Sequence, residues 1–269
     1  MNIQDLENKA KKIRSNIINQ IYNAKSGHPG GSLSSADILT ALYFNEMNVN
    51  PNEPKCNTRD RFILSKGHAA PVLYATLAEK GFFEEEKLYN LRKIDSILQG
   101  HPDMNKVPGV DMTTGSLGQG LSAANGMAIA AKLDNLDYRV YCLLGDGEIE
   151  EGQIWEAAMT SSHYKLDNLC VIVDNNNLQI DGAIDKVMNS YPIDKKFESF
   201  GFNVINIDGN NMEEILKAFE VAKYIKEKPT AIIAKTVKGR GISFMENQVG
   251  WHGKAPNEEE YKNAILELN

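Results

Sequence analysis

Cysteine is scarce in this chain. Cys56, Cys142 and Cys170 are the whole supply in 269 residues, too few and too scattered for a disulfide framework. Cys142 and Cys170 fall inside apolar runs and read as small core residues. Long apolar runs are missing as well: none reaches transmembrane length, and the polar, helix-patterned N-terminus has no signal-peptide core. The expectation is a soluble, cytoplasmic protein with no membrane partner. Excess positive charge is also absent. The balance is 29 Lys and Arg against 36 Asp and Glu, a net charge of −7. That argues against a nucleic-acid partner, which needs a basic surface, but leaves room for a local phosphate pocket. No internal repeat and no low-complexity linker interrupts the sequence.

Against these absences, 42% of the residues are hydrophobic, enough for a sizeable core. Residues 3–24 place Ile3, Leu6, Ala10, Ile13, Ile17, Ile18 and Ile21 at helical spacing. Short apolar strands are expected at 61–64, 140–144 and 169–173, within 199–207, and at 229–235. Helices are expected at 35–43, 69–80, 84–94, 121–133, 212–224 and 258–268, with another after Gly147. Strand and helix thus alternate from residue 61 to 237. That predicts an α/β fold, a three-layer, doubly wound, mostly parallel sheet. Length allows one large domain or two small ones. The reading adopted is a single domain over 1–269, with an N-terminal helix at 1–24 and a closing loop and helix at 238–269.

The stretch 145–182 organises the rest. An apolar run ends in Gly145-Asp146-Gly147, a helical segment follows, and a second apolar run ends in Asp174-Asn175-Asn176. In a parallel βαβ unit both polar ends open on the same sheet edge, where such sheets bind ligands, so Asp146 and Asn176 can converge. A carboxylate and an amide carbonyl are hard oxygen ligands, but two are too few to cage a cation. Mg2+ completes its octahedron with phosphate oxygens and water. Gly147 lets an anion approach the backbone, and a following helix N-terminus favours negative charge. The residues therefore point to a metal–diphosphate site. The bland alternative is a strand–turn–helix with a surface Asp.

Four of the five histidines sit beside glycine in predicted loops: His28 in Lys25–Gly31, His68 in Ser65-Lys66-Gly67-His68, His101 in Gly100-His101-Pro102, and His252 in Gly250–Pro256. The loop Lys25–Gly31, with three glycines and a proline, is expected to be rigid. His163, at a helix end with no Gly neighbour, reads as structural. A zinc site competes, but HExxH is absent. Imidazoles around a phosphorylated sugar fit better, because they donate to hydroxyls and carbonyls and can move protons near pH 7. Thr113–Gly120 (TTGSLGQG) enters an Ala/Gly-rich helix. Its glycines follow GxxGxG, not the dinucleotide pattern, and no P-loop Lys follows.

These motifs together resemble the transketolase family: SGHPGGSLSSADILTALYF, KGH, GHP, TTGSLGQG, GDG with its downstream Asn pair, and WHGKAP. The resemblance runs from about Ser26 to Pro256. It implies thiamine diphosphate and Mg2+ as cofactors, with Ca2+ or Mn2+ as substitutes for the metal. Asp146 and Asn176 would be metal ligands together with the Leu178 carbonyl, and Gly147 would admit the diphosphate. His68 would contact the diphosphate, and Gly115, Ser116 and Leu117 would lie against the aminopyrimidine. His28 and His101 would line the substrate channel, and His252 would bridge diphosphate and substrate. Glu151 would couple two cofactors across a subunit interface, although a first-turn carboxylate on a helix explains it equally well. The Ala/Gly helix would pack against another subunit.

The implied chemistry is transfer of a two-carbon ketol unit between sugar phosphates, as in the pentose phosphate pathway. The pyrimidine-binding domain of the family does not fall within these residues. The expectation is therefore a half-enzyme that works with a separate C-terminal subunit, self-associating into a heterotetramer. Two alternatives remain: a thiamine diphosphate subunit of another enzyme, of the deoxyxylulose-phosphate synthase or 2-oxo-acid dehydrogenase type, or a non-catalytic cofactor-binding fragment.

Overall fold

The computed structural model describes residues 1–268. Within them, five strands make one all-parallel sheet: β1 (Arg61–Leu64), β2 (Val140–Gly145), β3 (Leu169–Asn175), β4 (Asn203–Asp208) and β5 (Thr230–Lys235), in the spatial order β1-β2-β3-β5-β4. The last strand in sequence thus inserts between β3 and the edge strand β4. Among the described residues, ten α-helices surround the sheet: α1 (Ile3–Ala24), α2 (Pro29–Ser34), α3 (Ala36–Ala41), α4 (Ala70–Lys80), α5 (Gly120–Leu133), α6 (Gly152–His163), α7 (Ile184–Val187), α8 (Ile193–Ser199), α9 (Met212–Tyr224) and α10 (Glu258–Leu268).

Strand side chains alternate between the two faces. Phe62, Leu64, Tyr141, Leu143, Cys170, Ile172, Ile232 and Ala234 join one buried cluster with residues of α1, α3, α4, α9 and α10. Ile63, Val140, Cys142, Leu144, Leu169, Val171, Val173, Ala231 and Ile233 join the other, with α5, α6 and α8. The result is a three-layer, doubly wound α/β fold. Cys142 and Cys170 are buried and free, as their apolar surroundings predict. No described helix is long and apolar enough to cross a membrane.

Three local expectations need correction. Residues 29–34 are helical, not loop. Pro29 takes a first-turn position where its missing N–H costs nothing, and a Cβ on Gly30 would meet the Trp251 carbonyl oxygen at 2.9 Å. The glycine therefore serves close approach rather than a turn. Residues 84–94 do not make a continuous α-helix: a 3-10 helix covers only Glu85–Asn90, and Arg92 and Asp95 then adopt positive φ. After Gly147 the chain makes one 3-10 turn, Glu148–Glu150, and the α-helix starts only at Gly152.

The register fixes the site. Gly145 pairs with Asp174, and Asn175 with Lys235. The chain segments after β1, β2, β3 and β5 therefore leave the sheet side by side at one edge.

Candidate functional site

A cavity of about 340 Å³ opens at that edge, lined among others by His28, His68, Gly115, Leu117, Asp146, Gly147, Glu148, Asn176, Leu178, Lys238 and His252. A larger cleft of about 660 Å³ lies beside β4, but it contains neither the buried carboxylates nor the imidazoles, so the smaller cavity is the candidate site.

Asp146 is 2% exposed. Its Oδ1 accepts from Gly147 N (2.9 Å) and its Oδ2 from Asn177 N (2.5 Å). Burial, with Asp174 nearby, pushes its carboxyl up to about 7. Both of its hydrogen-bond donors are backbone N–H groups. Asn176 is also buried, and its Nδ2 donates to Asp174 Oδ2 (3.0 Å). That bond commits the amide nitrogen away from Asp146 and leaves Oδ1 to accept from Leu178 N at 3.2 Å. The Leu178 carbonyl accepts from Lys238 Nζ (2.9 Å).

These three oxygens suit a hard cation. A Cys- or His-rich cage does not, and no cluster of three or more His, Cys, Asp or Glu able to hold a metal occurs among the described residues. Asp146, Asn176 and Leu178 thus offer oxygens of the kind Mg2+ takes, with phosphate and water to complete its shell.

Three imidazoles line the same cavity. His28 lies edge-on to His68 and to His252, with ring centroids at 5.2 and 5.5 Å, and His68 stacks with His252 at 5.3 Å. Burial holds all three neutral: His28 falls to about 4, His68 to about 2 with Lys66 adding to the effect, and His252 to about 3 with Lys238 adding. His252 Nδ1 shares a 2.9 Å contact with Lys238 Nζ. An ammonium can only donate, so Nδ1 accepts and Nε2 carries the hydrogen. His28 Nδ1 is buried without a partner, an unspent polar atom beside the cavity.

In the metal-free chain these rings should stay neutral from pH 8 to pH 5, and imidazole Hε1 NMR shifts check this. The unfolded chain takes up their protons near 6.5. Their contribution to stability is therefore lost progressively as pH falls below that value.

Not every expected residue reaches the cavity wall. His101 is exposed and packs over Gly115, where a Cβ would meet its ring at 3.1 Å. Burial and Arg92 lower its pKa. Ser116 is exposed between Gly115 and Leu117. Glu151 is exposed at the N-cap of α6 without a side-chain cap bond; it stands near Gly118 and does not line the cavity. His163 is exposed against Tyr164.

Four charged residues have no role that the sequence alone assigns. Asp174 is fully buried and accepts from Lys66 Nζ (2.5 Å), Ser34 Oγ (2.7 Å), Ser35 Oγ (3.4 Å), Asn176 Nδ2 and Thr236 Oγ1. Burial alone would raise its carboxyl. The Lys66 ammonium and the hydroxyls outweigh that and hold it below the usual range. Lys66 also donates to the Gly31 carbonyl (2.8 Å). Burial lowers Lys238 to about 8. The fourth is Glu148. Lys66 and Glu148 each adjoin a motif residue, and a charge next to a predicted strand end is the available signal.

The family model "Transketolase, thiamine diphosphate binding domain" matches residues 6–268. Over 269 residues the chain is 45% identical to an apulose-4-phosphate transketolase subunit of Phocaeicola vulgatus, covering all of this chain and 95% of that protein. It is 46% identical over 264 residues to a 6-deoxy-6-sulfo-D-fructose transketolase subunit of a Clostridium species, covering 98% and 96%. Human transketolase is 50% identical over 255 residues, which span 94% of this chain but 40% of that protein. The crystal structure of Campylobacter jejuni transketolase superposes with a TM-score of 0.94 at 39% identity, covering the whole chain and 43% of that one. The chain thus spans about two fifths of these two transketolases.

Proposed function

The chain belongs to the transketolase family, as its thiamine diphosphate binding domain, and from that membership we propose that it is the N-terminal subunit of a two-chain transketolase. It transfers a two-carbon ketol unit from a ketose phosphate to an aldose phosphate. Residues 1–269 act as one diphosphate-binding domain. A separate subunit supplies the pyrimidine-binding domain, and two copies of each chain make a heterotetramer. The carrying observation is the convergence of Asp146, Asn176 and the Leu178 carbonyl with His28, His68 and His252 around one cavity.

Asp146, Asn176 and Leu178 would hold Mg2+. Gly147 lines the cavity and would let the diphosphate approach the backbone. His68 and His252 donate to phosphate oxygens. Gly115 and Leu117, which line the cavity, would back the aminopyrimidine, with Ser116 exposed between them. When bound, thiamine diphosphate supplies the nucleophilic thiazolium carbon for the two-carbon unit. The protein's part is to hold that cofactor and to offer neutral imidazoles. His28, at the cavity wall, and His101, at its rim, would donate hydrogen bonds to sugar hydroxyls and carbonyl, and a neutral ring that takes up a proton can give it back. Glu151, exposed and outside the cavity, faces a neighbouring subunit.

The two relatives that match over nearly their full length are named for apulose 4-phosphate and 6-deoxy-6-sulfo-D-fructose. A ketose other than a pentose-pathway sugar is therefore the second reading of the same site. Both are tested by isolating the chain from its native cells and assaying the eluate with a panel of ketose donors. A stoichiometric second chain together with ketol transfer is the expected result, and the preferred donor separates the readings. A homomeric eluate that binds thiamine diphosphate but transfers nothing would count against the two-chain enzyme.

A further inference from the structure

Glu148 follows the Gly145-Asp146-Gly147 turn and is 3% exposed. Its carboxylate lines the cavity and is fully engaged. Oε1 accepts from Ser65 Oγ (2.5 Å) and Gly118 N (3.0 Å), and Oε2 from Gly145 N (3.0 Å). The three donors belong to three separate segments: the turn after β1 that carries Lys66 and His68, the loop 113–119 before α5, and the end of β2 beside Asp146.

The first two segments nest backbone against backbone. A Cβ on Gly67 would meet Gly115 N at 2.7 Å, and one on Gly120 would collide with Ser65 Oγ. Such apposition excludes the side chains that would otherwise lock it. The intervening loop is also inherently free: Gly115 and Gly118 have φ of +149° and +84°, and Ser116 and Leu117 between them are exposed. A single carboxylate with about four acceptor sites can take all three donors.

We propose that Glu148 is a positioning residue that fixes the distance between the two ends of the cofactor site, holding Gly115–Leu117 in register with Asp146 and Asn176. This rests on the thiamine diphosphate reading above. The Gly115–Leu117 end backs the ring and the Asp146 end holds metal and diphosphate. The role of Glu148 therefore concerns ligands that span both ends. Inorganic diphosphate with Mg2+ reaches only one.

The test is calorimetric titration of the full chain with Mg2+ and either thiamine diphosphate or inorganic diphosphate. The wild type should bind thiamine diphosphate more tightly. Glu148→Gln keeps the shape but offers one oxygen and sets an NH2 against an N–H. It should lose about tenfold or more in thiamine diphosphate affinity, while inorganic diphosphate changes by less than about twofold. Ser65→Ala removes one donor and leaves the other two, so about a threefold loss is expected in the same ratio. Hydrogen exchange at the Gly118 amide should accelerate in Glu148→Gln.

Two results would overturn the proposal: thiamine diphosphate affinity unchanged in both variants, or both ligands weakened equally by Ser65→Ala. A wild type that binds the two ligands equally would also overturn it, because the ring end would then contribute nothing. A wild type that binds neither, alone or together with its partner subunit, would remove the cofactor reading and this proposal with it.

Discussion

Asp146→Asn should make the metal-free chain more stable at pH 7.5 and abolish its metal-dependent binding of thiamine diphosphate. The buried carboxyl titrates at about 7 in the fold, against an ordinary value of 3.8. Between those values the native state holds a proton that the unfolded chain has released. Stability from this group therefore falls as pH rises from about 4 to about 7, and is flat above. At 1.36 kcal/mol per pH unit the full cost is about 4 kcal/mol. An amide cannot ionise and escapes it. Its NH2 must face the Gly147 or Asn177 N–H, which returns about 1–2 kcal/mol. The net gain at pH 7.5 is thus about 2–3 kcal/mol, shrinking to nothing or reversing near pH 4.5. The three imidazoles titrate in the opposite sense but are common to both proteins, so they cancel in the difference.

Urea unfolding in EDTA at pH 4.5 and 7.5 measures this directly. With Mg2+ the order should invert, because the wild type gains its missing cation and the variant does not. Calorimetry should show at least about a hundredfold loss of cofactor affinity. A variant that retains tight Mg2+-dependent binding would remove Asp146 from the metal site.

What the sequence discloses depends on whether a residue acts through local pattern. Strand periodicity places β1, β2, β3 and β5 within two residues of their ends, because each face must find its own cluster. The polar ends at Asp146 and Asn176 then follow from parallel geometry alone. The helix Pro29–Ser34 escapes such a reading because Gly30 and Gly31 look locally like loop, and the reason for Gly30 lies in Trp251 and Lys238, more than 200 residues away. Asp174 shows the same limit. Beside Asn175 and Asn176 it looks like one more strand-end polar group, yet its partners come from residues 34, 35, 66, 176 and 236. Only the tertiary fold makes it the centre of a network. Glu151 and Ser116 can be picked out by motif, but no motif tells that they lie outside the cavity.

Asp174→Ala is expected to be the most destabilising single change at the site. It would strand the Lys66 ammonium, whose side chain is 2% exposed, with only the Gly31 carbonyl as acceptor. Ser34 and Thr236 would also lose a buried acceptor. Removing one partner of a buried ion pair costs about 3–5 kcal/mol, a large share of the roughly 5–15 kcal/mol that holds a domain of ordinary stability. The effect on the metal follows separately. Without Asp174 Oδ2 the Asn176 amide keeps only the bond from Leu178 N, and Oδ1 is aimed less firmly. Affinity for Mn2+, read by electron paramagnetic resonance in any fraction that still folds, should fall about 10–100-fold.

The companion variant Lys66→Met with Asp174→Leu removes both charges and fills the space. It should recover much of the lost stability, since a well-packed apolar pair often matches a buried ion pair. It should not recover the metal affinity, because Asn176 still lacks its partner. That separation of stability from binding identifies Asp174 as the residue that aims Asn176. If the double variant restored both, the role of Asp174 would be confined to neutralising Lys66.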